Sequence, residues 1–185
     1  MVQENADLIL NEVHSLQEFV NAFSAVAQLP EPRFQSCDLG ALVEGVAKLY
    51  KGSTPVEFRV EAASPLPLAW ADEAQIQRVL VNLIKNAMEA SPDKGMIALR
   101  ALRDSNGSEQ VLRVEVEDSG PGMDPATLER AAAPGFTTKS TGSGLGLTLV
   151  QRIVEQHSGR FGLESHTGIG TRAWFTLPLA PEETS

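Results

Sequence analysis

The chain has 185 residues, 42% apolar and 21% charged, ordinary globular usage that excludes disorder as its main state. A formal charge of −9 argues against a general nucleic-acid binder, which needs a basic footprint. Its one cysteine, Cys37, excludes an internal disulfide framework and a multi-cysteine zinc site. No apolar run approaches the roughly 20 residues that span a bilayer, and the start Met1-Val2-Gln3-Glu4-Asn5 is too polar for a signal peptide. The expectation is a soluble chain of a reducing, cytoplasmic compartment, with no membrane contact of its own.

Residues 1–29 read as one amphipathic helix. Ala6, Ile9, Val13, Leu16, Val20, Phe23 and Ala27 alternate spacings of three and four, a heptad seam. Such a stripe fits an ordinary core-facing helix or a coiled-coil or bundle arm. Pro30 and Pro32 stop it, which puts a boundary in residues 30–37.

Beyond that boundary the chain alternates helix and strand. Asp38 can cap a helix carrying Leu39, Leu42, Val43, Val46 and Leu49. Val56 to Glu61 alternates at period two and reads as a strand. Asp72 caps a strong helix through Ala90, with Ile76, Val79, Leu80, Leu83 and Ala87 inward. Met96 to Arg103 and Gln110 to Glu117 read as a hairpin turned at Asp104-Ser105-Asn106-Gly107. A long glycine-, proline- and threonine-rich stretch runs from Ser119 to Gly146, with a short helix near Ala126 to Ala132. Loops of that length are usually functional. Gly144 to Ser158 is helical, and Gly159 ends it. A last hairpin, Arg160 to Ser165 and Thr171 to Pro178, turns at Thr167-Gly168-Ile169-Gly170, and residues 181–185 form a tail. Helices on one face of a mostly antiparallel sheet give an α+β two-layer α/β sandwich with an N-terminal helical arm.

Four clusters carry chemistry. Asn82 and Asn86 share one face of the strong helix. Their amide carbonyls suit a hard cation that holds phosphates, although asparagines also simply solvate helices. Asp118, in Glu117-Asp118-Ser119-Gly120-Pro121-Gly122-Met123, falls where its strand stops, and the glycines allow close approach to a flat ring. The same residues could form a plain turn. Gly142-Ser143-Gly144-Leu145-Gly146-Leu147 opens a helix, where backbone N–H groups and the dipole attract phosphate. It is neither a Walker loop nor a dinucleotide fingerprint. Gly135-Phe136-Thr137-Thr138-Lys139 could close over phosphates or be a solvated loop.

In this order and spacing, the clusters resemble the N, G1, F and G2 boxes of the histidine-kinase ATP-binding domain, a member of the Bergerat-fold ATPase superfamily. Gly168-Ile169-Gly170-Thr171 looks like the final glycine box, and the resemblance covers about residues 38–180. The segment from Ile9 to Leu39 resembles sensor kinases of the NtrY type. It implies a second dimerisation helix at 1–29 and a linker at 30–37.

The resemblance implies ATP and Mg²⁺ as cofactors. Asp118 would accept from the adenine amino group, with Gly120, Gly122 and Met123 lining the ring and Thr171 beside it. Asn86, helped by Asn82, would hold the metal; Asn82, Asn86 and Lys139 would be the catalytic set. Thr137, Thr138 and Lys139 would close near the terminal phosphate, and Gly142, Ser143, Gly144, Leu145, Gly146 and Leu147 would wrap the phosphates. Hydrolytic members of the superfamily carry a glutamate where Asn82 stands. An amide cannot take a proton from water, so transfer rather than fast hydrolysis is expected.

The implied partners are a histidine-bearing dimerisation domain in cis or trans and a response regulator, within a homodimeric parent. An anti-sigma-type serine kinase, or a nucleotide-binding module inactive alone, remains the alternative. One departure is Glu89, where some relatives carry a phosphate-directed lysine. No acceptor box surrounds His14, which reads as a surface residue, and His157 and His166 read as structural.

Overall fold

The computed structural model describes residues 20, 29–52, 54–91, 95–107, 109–133, 135–137 and 144–181. The helical arm expected at 1–29 therefore lies outside the described residues, apart from Val20 and Leu29.

Three aspartates start three helices, each accepting an N–H of the first turn. Asp38 accepts from Ala41 at 3.0 Å and opens α1 (Leu39–Tyr50). Asp72 accepts from Gln75 at 3.1 Å and opens α2 (Glu73–Ala90). Asp124 accepts from Thr127 at 3.0 Å and opens the short α3 (Pro125–Arg130). A fourth helix, α4 (Gly146–Gln156), has no side-chain cap at its start. The strands are β1 (Gln35–Cys37), β2 (Glu57–Ala62), β3 (Ala69–Ala71), β4 (Met96–Asn106), β5 (Glu109–Asp118), β6 (Phe161–His166) and β7 (Gly170–Pro178).

The main sheet runs β2-β4-β5-β7-β6. Only the β2–β4 pair is parallel. Alternation along β5 sorts its side chains between two faces. Leu112, Val114, Val116 and Asp118 are buried, whereas Arg113, Glu115 and Glu117 join a cross-strand ion network with Arg100, Arg172 and Glu164. The buried face receives α1, α2 and α4 through Val43, Val46, Ile76, Leu80, Leu83, Ile84, Val150 and Ile153, packed against Leu99, Leu112, Phe175 and Leu177. This is the two-layer α+β sandwich expected.

The hairpin expected to leave β4 at Arg103 is longer, because Asp104, Ser105 and Asn106 find strand partners in Val111, Gln110 and Glu109. A small second sheet adds to the expected elements: β1 pairs antiparallel with β3, Gln35 opposite Ala71 and Cys37 opposite Ala69. Residues 30–37, read as a linker, are thus in contact with the globular part. The Pro30 carbonyl accepts from Gln75 Nε2 at 3.0 Å, and the Arg33 N–H donates to Asp72 Oδ2 at 2.8 Å. Phe34 stacks on Trp70 and tilts against His157, with centroids 6.2 and 5.1 Å away. Cys37 is buried, and that burial, with Glu73 and Asp38 nearby, raises its thiol pKa to about 11. It is an inert core residue.

His157 is fully buried just past the end of α4. Its Nε2 accepts the Asp72 N–H at 3.0 Å, so Nδ1 carries the proton and donates to the Ile153 carbonyl at 2.7 Å. Burial lowers its pKa below 6.5, against the opposing pull of the Ile153 carbonyl and the Asp72 charge. A depressed histidine pKa means that the unfolded chain binds the proton more tightly. The stability due to neutral His157 is therefore present above about pH 6.5 and lost as the pH falls through the folded-state value. His157→Leu, which leaves the Asp72 N–H without its acceptor, should cost about 1–3 kcal/mol at pH 7.5. Chemical denaturation across pH 5 to 7.5 should show the wild-type loss flattened in the variant.

Candidate functional site

The site is built where β5 ends against α2. Period-two alternation sends Glu117 outward, where the Arg100 hydrogen bond, together with Arg172, holds its carboxyl below the usual range despite partial burial. The next residue, Asp118, must then face the helices. It is 9% exposed. Its Oδ1 accepts from the Gly120 N–H at 2.8 Å and the Thr171 N–H at 3.3 Å. Ser119 ties the strand end down: its Oγ accepts from Met96 N at 2.8 Å and its own N–H donates to the Met96 carbonyl at 3.1 Å.

The turn after Asp118 is wedged between α2 and the β6–β7 hairpin. A Cβ at Gly120 would lie 2.8 Å from the Ala90 carbonyl at the end of α2. Gly122 has φ +66°, and a Cβ there would stand 2.0 Å from the His166 carbonyl oxygen. No L side chain fits. The Gly168 N–H donates to the Pro121 carbonyl, and the Met123 N–H donates to Ser165 Oγ at 2.8 Å. Ser165 also donates to the Gly170 carbonyl at 3.0 Å and lies 2.9 Å from Thr171 Oγ1. Ser165 is a site residue that the sequence does not announce, because a serine closing a short strand carries no signal of its own.

The second half of the site lies up the same helix. Asn82 Nδ2 donates back to the Arg78 carbonyl at 2.8 Å, which turns Oδ1 the other way. A Cβ at Gly146, the first residue of α4, would sit 3.4 Å from Asn82 Oδ1 and 3.9 Å from Asn86 Nδ2. The two amides thus face the uncapped start of α4, whose positive dipole end favours anions. Gly144 meets the preceding loop: its carbonyl accepts the Gly135 N–H at 3.1 Å, and with φ +66° a Cβ would stand 2.4 Å from Gly135 C. Phe136 in that loop lies under the Arg130 guanidinium, 4.5 Å from its ring centre.

At 1.5 Å per helical residue, Ala90 lies about 6 Å along α2 from Asn86 and about 12 Å from Asn82. The turn after Asp118 touches Ala90 and α4 starts against the asparagines, so the two ends are spaced like the base and phosphates of a nucleotide. Leu145 is 5% exposed and Leu147 packs against the core, so these two can offer a ligand backbone groups rather than side chains. Thr137 is exposed at the loop's edge, and Glu89 lies on the exposed side of α2. Thr138, Lys139, Gly142 and Ser143 lie outside the described residues, as does His14. Among the described residues no group of three or more His, Cys, Asp or Glu could hold a metal by itself.

Residues 71–181 match the family described as histidine kinase-, DNA gyrase B- and HSP90-like ATPase. The chain belongs to that family. Its relatives narrow the kind. It is 31% identical over 82% of its length to a sensor histidine kinase, named NtrY-like, of Rickettsia bellii (strain RML369-C), of which it covers 25%. It is similar to full-length ShkA solved in complex with AMPPNP: TM-score 0.74, 29% identity, 92% of this chain and 36% of that one. It also matches the catalytic domain of histidine kinase ThkA, with TM-score 0.70 and 30% identity, covering 81% of this chain and 98% of that domain. ThkA in complex with its response regulator protein TrrA gives TM-score 0.76 and 26% identity, over 99% of this chain and 53% of that one. The chain spans about a quarter to a third of the length of curated relatives such as these. It is an ATP-binding catalytic domain of the sensor histidine kinase type, and these names do not favour a serine kinase.

Two glycines offer a matched test of the turn. Gly107 and Gly122 share φ +66°, but a Cβ at Gly107 meets nothing within 4 Å. Each alanine should cost about 1–2 kcal/mol for the left-handed backbone. Only Gly122→Ala should also displace the turn and weaken nucleotide binding, by tenfold or more in a fluorescent-ATP titration, while Gly107→Ala binds as the wild type.

Proposed function

We propose that this domain positions Mg-ATP for transfer of the γ-phosphoryl group to a histidine on a dimerisation domain. The observation that carries the reading is the facing of Asn82 Oδ1 and Asn86 with the uncapped start of α4, on the helix whose far end meets the Asp118 turn. Asp118 would read the adenine amino group, with Gly120, Gly122, Met123 and Thr171 around the base. Gly142, Ser143, Gly144, Leu145, Gly146 and Leu147 would offer N–H groups to the phosphates, with Thr137, Thr138 and Lys139 closing over them.

The residues at the asparagine ridge fit a magnesium ion. They supply neutral oxygen ligands and no protein charge, the donor set for an ion held mostly by phosphate oxygens and water. Asn86, helped by Asn82, would hold it, and bound there it would neutralise charge on the phosphates. Phosphoryl transfer needs mainly alignment and such neutralisation. Asn82 has no basic oxygen to accept a proton from water, so it supports delivery to a protein nucleophile over hydrolysis.

The domain would occupy residues 38–180 of a homodimeric parent, with a dimerisation helix at 1–29, a linker at 30–37 and a tail at 181–185. A response regulator would receive the phosphoryl group, as the name of the ThkA–TrrA complex suggests by likeness. The domain would sit in the cytoplasmic part of an anchored sensor; no helix among the described residues is itself long and apolar enough to cross a membrane.

Isothermal titration should show Mg-dependent ATP binding that Asp118→Asn weakens about 10- to 100-fold, the range for losing a charged hydrogen-bond acceptor. Labelled ATP mixed with a separate histidine-bearing dimerisation domain should yield acid-labile phosphohistidine, abolished by Asn86→Ala. Unaltered affinity in Asp118→Asn, or an acid-stable product, would overturn the assignment.

A further inference from the structure

The hydroxyl pair behind Asp118 fixes a proton direction. Ser165 is 9% exposed and stands at the end of β6, opposite Thr171 on β7. A serine hydroxyl has one proton and two lone pairs. At Ser165 the proton goes to the Gly170 carbonyl at 3.0 Å, and one lone pair takes the Met123 N–H at 2.8 Å. Either hydroxyl could donate across the 2.9 Å contact between Ser165 Oγ and Thr171 Oγ1; with the Ser165 proton on the Gly170 carbonyl, the Thr171 proton is the one left to make it. Thr171 therefore points its hydrogen back at Ser165 and keeps its lone pairs for whatever lies in front of it. Its own N–H already binds Asp118 Oδ1 at 3.3 Å.

We propose that Ser165 sets purine selectivity by holding the Thr171 hydroxyl as an acceptor beside the Asp118 carboxylate. The proposal rests on the reading that the Asp118 end of the site takes the base. Two neighbouring acceptors that both address the 6-position welcome an exocyclic amino group there, which has two hydrogens to give, and they repel a carbonyl oxygen in its place. The proposal therefore has Thr171 facing the 6-position and not the ring N1. The wild-type site then prefers ATP to ITP for two reasons, the aspartate and the oriented threonine. Ser165 is a positioning residue: it acts on the nucleotide only through Thr171.

Removing Ser165 frees the Thr171 hydroxyl to rotate and donate to a carbonyl, so the second reason disappears. A site that pairs a specific polar group discriminates strongly against the analogue lacking it, and loses that discrimination when its own group can turn.

The test measures dissociation constants for Mg-ATP and Mg-ITP on the chain as it stands. Ser165→Ala should lower the ITP-to-ATP ratio of dissociation constants about tenfold, mostly by improving ITP. Thr171→Val should lower the ratio similarly, and Thr171→Ser, which keeps the hydroxyl, should preserve it. In a Thr171→Val background, Ser165→Ala should change the ratio no further.

A merely structural Ser165 would weaken both nucleotides together and leave the ratio within about twofold, which overturns the proposal. So would a ratio that Thr171→Val leaves unchanged, a result that does not depend on Ser165→Ala folding. If wild type binds neither nucleotide, or if Asp118→Asn binds ATP as the wild type does, the reading of the base site itself fails and the proposal falls with it.

Discussion

Helix α2 has to satisfy two demands, one on its buried face and one on the flank beside it, and the site depends on both being met. Ile76, Val79, Leu80, Leu83, Ile84 and Ala87 are at most 4% exposed and lock the helix against the sheet. At 3.6 residues per turn, that stripe leaves Asn82 and Asn86 on the flank facing α4. The asparagines need no dedicated scaffold, because their direction is a by-product of burial elsewhere on the helix. Leu149, Val150, Ile153 and Val154 do the same for α4. A shift of either helix along the other would cost buried apolar contact before it changed the ridge, so close packing keeps the amides and the α4 start in register.

The other end of the site is held by hydrogen bonds more than by apolar packing. Asp118 Oδ1, the Thr171 N–H, Ser165 Oγ and the Met123 N–H form one connected set spanning β5, β6, β7 and the turn after Asp118. Each member is buried or half-buried, where an unpaired group is expensive. A base that enters here meets directions already set, which lowers the ordering cost of binding. The two ends thus use different physics: shape fixes the asparagine ridge, and polar pairing fixes the base end.

The sequence was legible where one local rule dominated. Asp72 and the stripe from Ile76 to Ala87 defined α2 from Glu73 to Ala90, and the alternation before Asp118 placed that carboxylate at the inward end of β5. The sequence points to Gly122 for close approach to a flat ring and to Gly144 for a phosphate-binding helix start; that a Cβ at either would meet backbone atoms within 2.4 Å is a constraint only the fold reveals. What escaped were features with no period to detect. Gln35–Cys37 and Ala69–Ala71 are three residues each, too short to show alternation, and pair across more than 30 residues of chain. Ser165 escaped because its role exists only once Met123, Gly170 and Thr171, from separate segments, converge on it. His157 was read as structural, but nothing in the chain before folding says that its partner is the backbone of Asp72.

That last contact joins the far ends of the two helices that frame the site. Asp72 starts α2 and His157 follows α4, and their 3.0 Å hydrogen bond ties the helices together at the end away from the Asp118 turn. The segment arriving from the N-terminal side is fastened at the same point. Arg33 N–H reaches Asp72 Oδ2, Pro30 accepts from Gln75, and Phe34 covers His157. Asp72 is therefore shared: Oδ1 caps the helix that carries the asparagines, and Oδ2 holds the incoming chain. Burial raises its pKa, but the N–H groups of Arg33, Gln75 and Ala74 more than offset that, so it stays below the usual carboxylate range. A carboxylate bound on both oxygens cannot follow one partner without loosening its hold on the other. The entry of the chain and the seating of α2 are consequently a single mechanical unit, built from backbone N–H groups and one buried neutral imidazole.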